Sequence, residues 1–150
     1  MIYTYFLTED PTTIQEAKQL LYDVLFKPLQ MSDTMQDQLK IQGEELYFVA
    51  MNERTEVVGV MVLVIDGEHV ELHHAATRTA LQGQGIGKQL WILVHEYCTD
   101  RGFKSIELVS RNTAMSFWAS VGFQATTEDW IEREDFVKHG IRHKAMKQTL

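Results

Sequence analysis

The sequence predicts an α+β fold in which helices cover a mostly antiparallel sheet. Three observations carry this expectation. β-rich runs joined by tight turns follow one another through residues 46–77, a helical stripe replaces them at residues 86–97, and shorter strand and helix signals then alternate to the end. No repeat, low-complexity tract or Pro/Gly-rich linker divides the chain, so a single domain over residues 1–150 is expected.

Ile2 to Leu7, rich in Ile, Tyr, Thr and Phe, reads as the first strand. Pro11 and the threonines after it start a helix from about Ile14 to Phe26, with Ile14, Ala17, Leu21 and Val24 at helical spacing and Pro28 as its stop. A weakly patterned second helix falls around Met31 to Ile41. Leu46 to Met51 and Glu56 to Ile65 form a hairpin across Asn52-Glu53-Arg54-Thr55, and the Asp66-Gly67 turn leads into a strand from His69 to about Thr77. Ile86, Leu90, Leu93, Val94 and Tyr97 then form a helical stripe that stops at Arg101-Gly102. Lys104 to Val109 reads as a strand, Thr113 to Val121 as a helix, Phe123 onward as strand, and Ile141 to Gln148 as the last strand. The expected order is β-α-α-β-β-β-α-β-α-β-β.

Composition excludes several classes of function. At 45% hydrophobic and 23% charged residues the chain has the makings of a packed core rather than disorder. A net charge of -7 without Lys/Arg clusters argues against a nucleic-acid partner. The longest apolar run, Val57 to Ile65, is too short to cross a bilayer, so no membrane partner is expected. Cys98 stands alone, which rules out an intramolecular disulfide and suits a reducing compartment. Met1 to Asp10 lacks the basic and apolar segments of a signal peptide, and the expected location is cytoplasmic. The acidic surface would tolerate a cationic amine, although such acidity commonly serves solubility alone.

Leu81-Gln82-Gly83-Gln84-Gly85-Ile86-Gly87-Lys88, between a strand and a helix, is the most informative stretch. Alternating glycines let a ligand approach the backbone, and free N–H groups at a helix start attract anions, a combination that suits a pyrophosphate. A plain flexible connector would read the same way. Gln82 and Gln89 stand where a P-loop needs Gly and Ser or Thr, and Lys88 stands where a dinucleotide fingerprint needs its third glycine.

The loop resembles the signature of the GNAT acetyltransferases, Gln or Arg, two residues, Gly, one residue, then Gly or Ala, met here by Gln82, Gly85 and Gly87. After the Ser105 to Val109 strand, Ala114-Met115-Ser116-Phe117-Trp118-Ala119-Ser120-Val121-Gly122-Phe123 is similar to the family's second motif. Gly140-Ile141-Arg142-His143 with Met146 is similar to the closing strand of small bacterial members. The resemblance covers essentially the whole chain. It implies acetyl-CoA as cosubstrate, no metal, and the amine of a small molecule or peptide as acceptor. A homodimer is compatible with it.

Carried onto this chain, the resemblance has the backbone of Ala75, Ala76 and Thr77 pair with the pantetheine arm, and the N–H groups from Gly83 through Gln84, Gly85, Ile86 and Gly87 to Lys88 hold the pyrophosphate. Glu71 and His73 match family base positions and, two residues apart on a strand, share a face, while His74 would point to the opposite one. His143 is the candidate for the acceptor side. Two positions depart from the family. Trp118 replaces a common Tyr, which leaves Tyr97 or water as alternative proton sources and keeps open a non-catalytic acetyl-CoA-binding module. Asn112 stands close to the family's CoA-contacting Asn, with an N-cap bond to the following helix as its other reading.

Overall fold

The computed structural model describes residues 2–150. The chain opens with β1 (Thr4–Thr8), α1 (Pro11–Leu21) and a one-turn α2 (Met35–Gln38), followed by the meander β2 (Glu44–Met51), β3 (Val57–Asp66) and β4 (His69–Thr77). Then come α3 (Ile86–Asp100), β5 (Ser105–Arg111), α4 (Met115–Ser120), the two-residue β6 (Gln124–Ala125), a short α5 (Glu134–Val137) and β7 (His143–Thr149). The seven strands make one sheet in the order β1-β2-β3-β4-β5-β7-β6. Every neighbouring pair is antiparallel except β4 and β5, whose parallel relation needs the crossover that α3 supplies.

Both faces of the sheet are covered. Phe48, Leu63 and Leu72 pack beneath Leu90, Trp91 and Val94 of α3 and Trp118 of α4. Tyr47, Val49, Val60 and Val62 pack on the other face against Ala17, Leu20 and Leu21 of α1. β3 therefore buries every residue from Val57 to Val64, which is why its sequence is a continuous apolar run rather than an alternation. At Gly59 a Cβ would stand 2.9 Å from Ile86 Cγ2, so the missing side chain lets the start of α3 sit directly on β3.

Most expected elements are present, and the departures have local causes. The first helix does not run unbroken to Phe26. After Leu21 it widens into a π turn over Tyr22–Phe26, with Lys27 N–H donating to the Tyr22 carbonyl, and a 3₁₀ turn over Lys27–Leu29 ends at Gln30 with φ 58°. Pro28 has no N–H to continue the α-helical ladder. The expected second helix shrinks to the single turn Met35–Gln38, with Met31, Met35 and Leu39 packed around Phe26 and Phe136. α5 was not expected at all; its anchor is Phe136, buried beside Phe26, Met31 and Ile141.

Two irregularities shape the centre of the sheet. His74 pairs with Val62 and Leu72 with Leu63, so His73 is an extra residue, a β-bulge in β4. Beside it, β4 and β5 share a single ladder pair, Glu71 with Glu107, after which the strands part. Residues 72–77 thus keep β3 on one side and leave their other backbone edge on an opening.

Candidate functional site

A cavity of about 270 Å³ occupies this opening, walled by β4 residues 71–75, the end of β5, Ala114 and Trp118, and closed by Leu25, Phe26, Leu39, Ile41, Arg133, Phe136 and His143. At its heart Glu71 and His73 do share a face, with Glu71 Oε2 3.2 Å from His73 Nδ1. A carboxylate only accepts, so Nδ1 is the donor, and in the neutral form of the ring Nε2 keeps its lone pair. That Nε2 is buried and has no hydrogen-bond partner. The pair can take up a proton delivered at Nε2.

The expectation for His74 is overturned. The extra residue at His73 shifts the side-chain alternation by one, so His74 joins His73 on the α1 face, with ring centroids 4.1 Å apart. His74 lies edge-on to Phe26 at 5.9 Å. Burial first, and then the neighbouring His73, pushes its pKa down to about 3, so it is a neutral imidazole. Its Nε2 also lacks a partner. Beyond the bulge, Ala76 faces the α1 core, while Ala75 packs toward α3 and lines the cavity. Thr77 closes the strand, and its carbonyl accepts from Gln82 Nε2 at 3.2 Å, so the signature glutamine braces the loop against β4.

The glycine loop lies past the carboxyl end of β4, where the strands have separated. Gly83 and Gly85 have φ 82° and 91°, in the left-handed region, and a Cβ at either would meet nothing within 4 Å. Among the described residues no backbone carbonyl accepts from the N–H groups of Gly83, Gln84 or Gly85. Those of Ile86, Gly87 and Lys88 open α3 and have no acceptor within the helix. This cradle of free donors in open space fits a pyrophosphate. Ile86 contributes only its backbone, since its side chain is core. The bare Cα of Gly87 lies toward Phe117, whose ring atoms would be 3.2 Å from a Cβ, so its lack of a side chain also serves the packing of α3 on α4.

Trp118 is 7% exposed, packed against Trp91, Phe117 and Phe123, and forms part of the cavity wall. Tyr97 is not there; it lies against Phe48 and beneath Arg101 on the last turns of α3. Asn112 is not an N-cap. Its Oδ1 accepts from Arg142 N–H at 3.1 Å and its Nδ2 donates to the Gly140 carbonyl at 3.3 Å, tying the start of α4 to the approach to β7. His143 is buried, edge-on to Phe136 at 5.0 Å, and its Nδ1 has no hydrogen-bond partner among the described residues. Burial, reinforced by Arg133 and Arg111, lowers its pKa to about 4.

Sequence reasoning missed Arg111 and Arg133, which line the same cavity. Arg111 pairs across the sheet with His143, and its Nη2 donates to the Leu25 carbonyl at 2.8 Å, within the widened turn after α1. No motif marks either arginine. Among the described residues no three His, Cys, Asp or Glu side chains cluster as a metal site would require, and no helix is long and apolar enough to cross a membrane.

The chain matches the family model of the acetyltransferase (GNAT) domain over residues 13–150. No curated protein sequence matches it significantly. Among solved structures it is similar to a protein from Lactobacillus plantarum described as a candidate N-acetyltransferase, with TM-score 0.83, 21% identity and coverage of 100% of this chain and 99% of that one. Escherichia coli ElaA follows at TM-score 0.80, 17% identity and coverage of 98% and 99%. The ribosomal-protein-S18-alanine N-acetyltransferase of Escherichia coli gives TM-score 0.75, 16% identity and coverage of 99% and 94%. At these identities the likeness is one of fold.

Proposed function

The chain belongs to the GNAT acetyltransferase family, and on that premise we propose that it moves an acetyl group from acetyl-CoA to an amine by direct attack. The observation that carries this reading is the opening between β4 and β5, with the Glu71–His73 pair inside it and the Gly83–Lys88 loop following the end of β4.

Each part has a task that its chemistry suits. The N–H groups of the loop hold the pyrophosphate, and the free edge of β4 at Ala75, Ala76 and Thr77 offers main-chain partners to the pantetheine amides. An ammonium has no lone pair, so the acceptor must lose a proton before it attacks. His73 Nε2 takes that proton directly or through water, and Glu71 holds the ring in the required tautomer and offsets the charge it acquires. As the new C–N bond forms the C–S bond breaks, and the thiolate leaves with the bonding pair. Trp118 can lend its indole N–H to a polar atom but cannot give up the proton. Once bonded to the acetyl carbon the nitrogen sheds its second proton, which water relays to the departing thiolate, since Tyr97 lies elsewhere.

The test is thiol release from acetyl-CoA with a panel of amines, on the wild type and on Glu71→Gln and His73→Ala. Turnover that drops about 10²-fold or more in His73→Ala, with acetyl-CoA still bound, is expected of a general base. Tight acetyl-CoA binding without turnover of any amine would favour a binding module, the reading that Trp118 in the usual tyrosine position keeps open.

A further inference from the structure

The acceptor half of the cavity carries a charge pattern opposite to that of the whole chain. Against a net charge of -7, the side bounded by the widened turn, α5 and β7 presents two guanidinium groups, Arg111 and Arg133. Among the described residues the only acid on the cavity wall is Glu71, already engaged with His73. Among the described residues the ion pairs are His69–Glu107, His73–Glu71 and Arg78–Glu56, so neither arginine has a carboxylate partner.

An uncompensated, partly buried cation is costly, and Arg111 is held in place at that cost. Its Nη2 donates to the Leu25 carbonyl, and its guanidinium carbon lies 5.8 Å and 5.3 Å from the Phe26 and Phe136 ring centroids. The bond to Leu25 uses one of its five N–H donors. Nearby, the buried His143 Nδ1 and His74 Nε2 have no partner either. Arg111, Arg133, His74 and His143 all line this one cavity. The remaining walls, Leu25, Phe26, Leu39 and Phe136, are apolar.

A cationic acceptor would meet two guanidinium groups here, and a neutral one would leave their donors unanswered. A carboxylate answers them, because a guanidinium presents paired N–H groups in the geometry a carboxylate accepts. We propose that the acceptor is an amine bearing its own carboxylate, an amino-acid-type zwitterion with an apolar side group, bound through Arg111 and Arg133 with its amine toward His73. The apolar group rests on Phe26 and Phe136. This deepens the acetyl-transfer reading and rests on it.

The experiment is thiol release from acetyl-CoA with apolar L-amino acids, each compared with its carboxamide, and with a polyamine as cationic control. The free acids are expected to win in kcat/KM by about tenfold or more, the worth of a charge-assisted hydrogen bond. Arg133→Gln, which breaks no intramolecular hydrogen bond, is expected to collapse that ratio through KM while acetyl-CoA still binds calorimetrically. Arg111→Lys keeps a donor for Leu25 but loses the planar fork, and is expected to move the ratio the same way. Carboxamides or polyamine used as well as the acids, a ratio unmoved by Arg133→Gln, or no turnover of any free acid by protein that binds acetyl-CoA would overturn the assignment. A folded protein that binds no acetyl-CoA would overturn the parent reading instead, and this one with it.

Discussion

Two imidazoles buried in neutral form around one cavity make the fold sensitive to mild acid. His74 titrates at about 3 and His143 at about 4 in the folded chain, both lowered first by burial, against an ordinary value near 6.5. Because the folded pKa values are depressed, the unfolded chain binds more protons below pH ~6.5, and stability is fully present above that point and falls as pH drops toward 4. Each site contributes a slope of about 1.4 kcal/mol per pH unit in this window. From pH ~8 to pH ~5 each loses about 2 kcal/mol, and the two together about 4 kcal/mol, a large share of a typical domain's 5–15 kcal/mol. The carboxylates held below their ordinary values, Asp10 and Glu56, begin from 3.8 and 4.5 and so titrate below the pH 5–8 range over which the slope is read. Urea unfolding followed by tryptophan fluorescence at half-unit steps from pH 5 to 8 reads the slope. His143→Phe keeps the aromatic contact with Phe136 and should remove about half of the dependence. A stability that is flat between pH 5 and 7, or a slope that His74→Phe and His143→Phe leave unchanged, would refute the reasoning.

The other predictions concern the loop, the base and the tie to β7. Gly85→Val places a branched side chain at φ 91° and in open space, and should abolish acetyl-CoA binding in calorimetry while circular dichroism still reports a folded protein. Gly87→Val instead drives Phe117 aside and should cost about 1–3 kcal/mol of stability in urea unfolding. Glu71→Gln should lower kcat more than it raises the KM for acetyl-CoA, with a changed pH–rate profile, because it disturbs the tautomer of His73 rather than the cofactor cradle. Asn112→Ala removes bonds to Gly140 and Arg142 and should lower stability by about 1–2 kcal/mol, read by thermal unfolding, with little change in acetyl-CoA affinity.

Where the sequence and the structure agree, local chemistry decides. The β4 bounds, His69 to Thr77, follow from the Asp66-Gly67 turn and a β-rich run, and the α3 stripe from Ile86 to Tyr97 is strictly periodic. The glycines at 83 and 85 are also legible in the sequence as a loop that needs bare backbone, and both adopt a positive φ in open space. The bulge leaves no such trace. One extra residue in β4 changes no composition, yet it turns His74 from the far face to the side of His73 and parts β4 from β5. Register is set by pairing across strands, which a single run of residues does not reveal. The same holds for Arg111 and Arg133, far apart in sequence, which the fold brings to the wall of one cavity. Gly87 shows the converse hazard, a motif glycine whose space is filled by Phe117.

The central claim is that the opening beside β4 is an acetyl-CoA site, and calorimetric titration with acetyl-CoA, with NADH and ATP as controls, tests it most directly. Saturable one-to-one binding of acetyl-CoA alone, lost in Gly85→Val, is the expected result. Binding of NADH or ATP in its place, or no binding of acetyl-CoA by a protein shown to be folded, would contradict it.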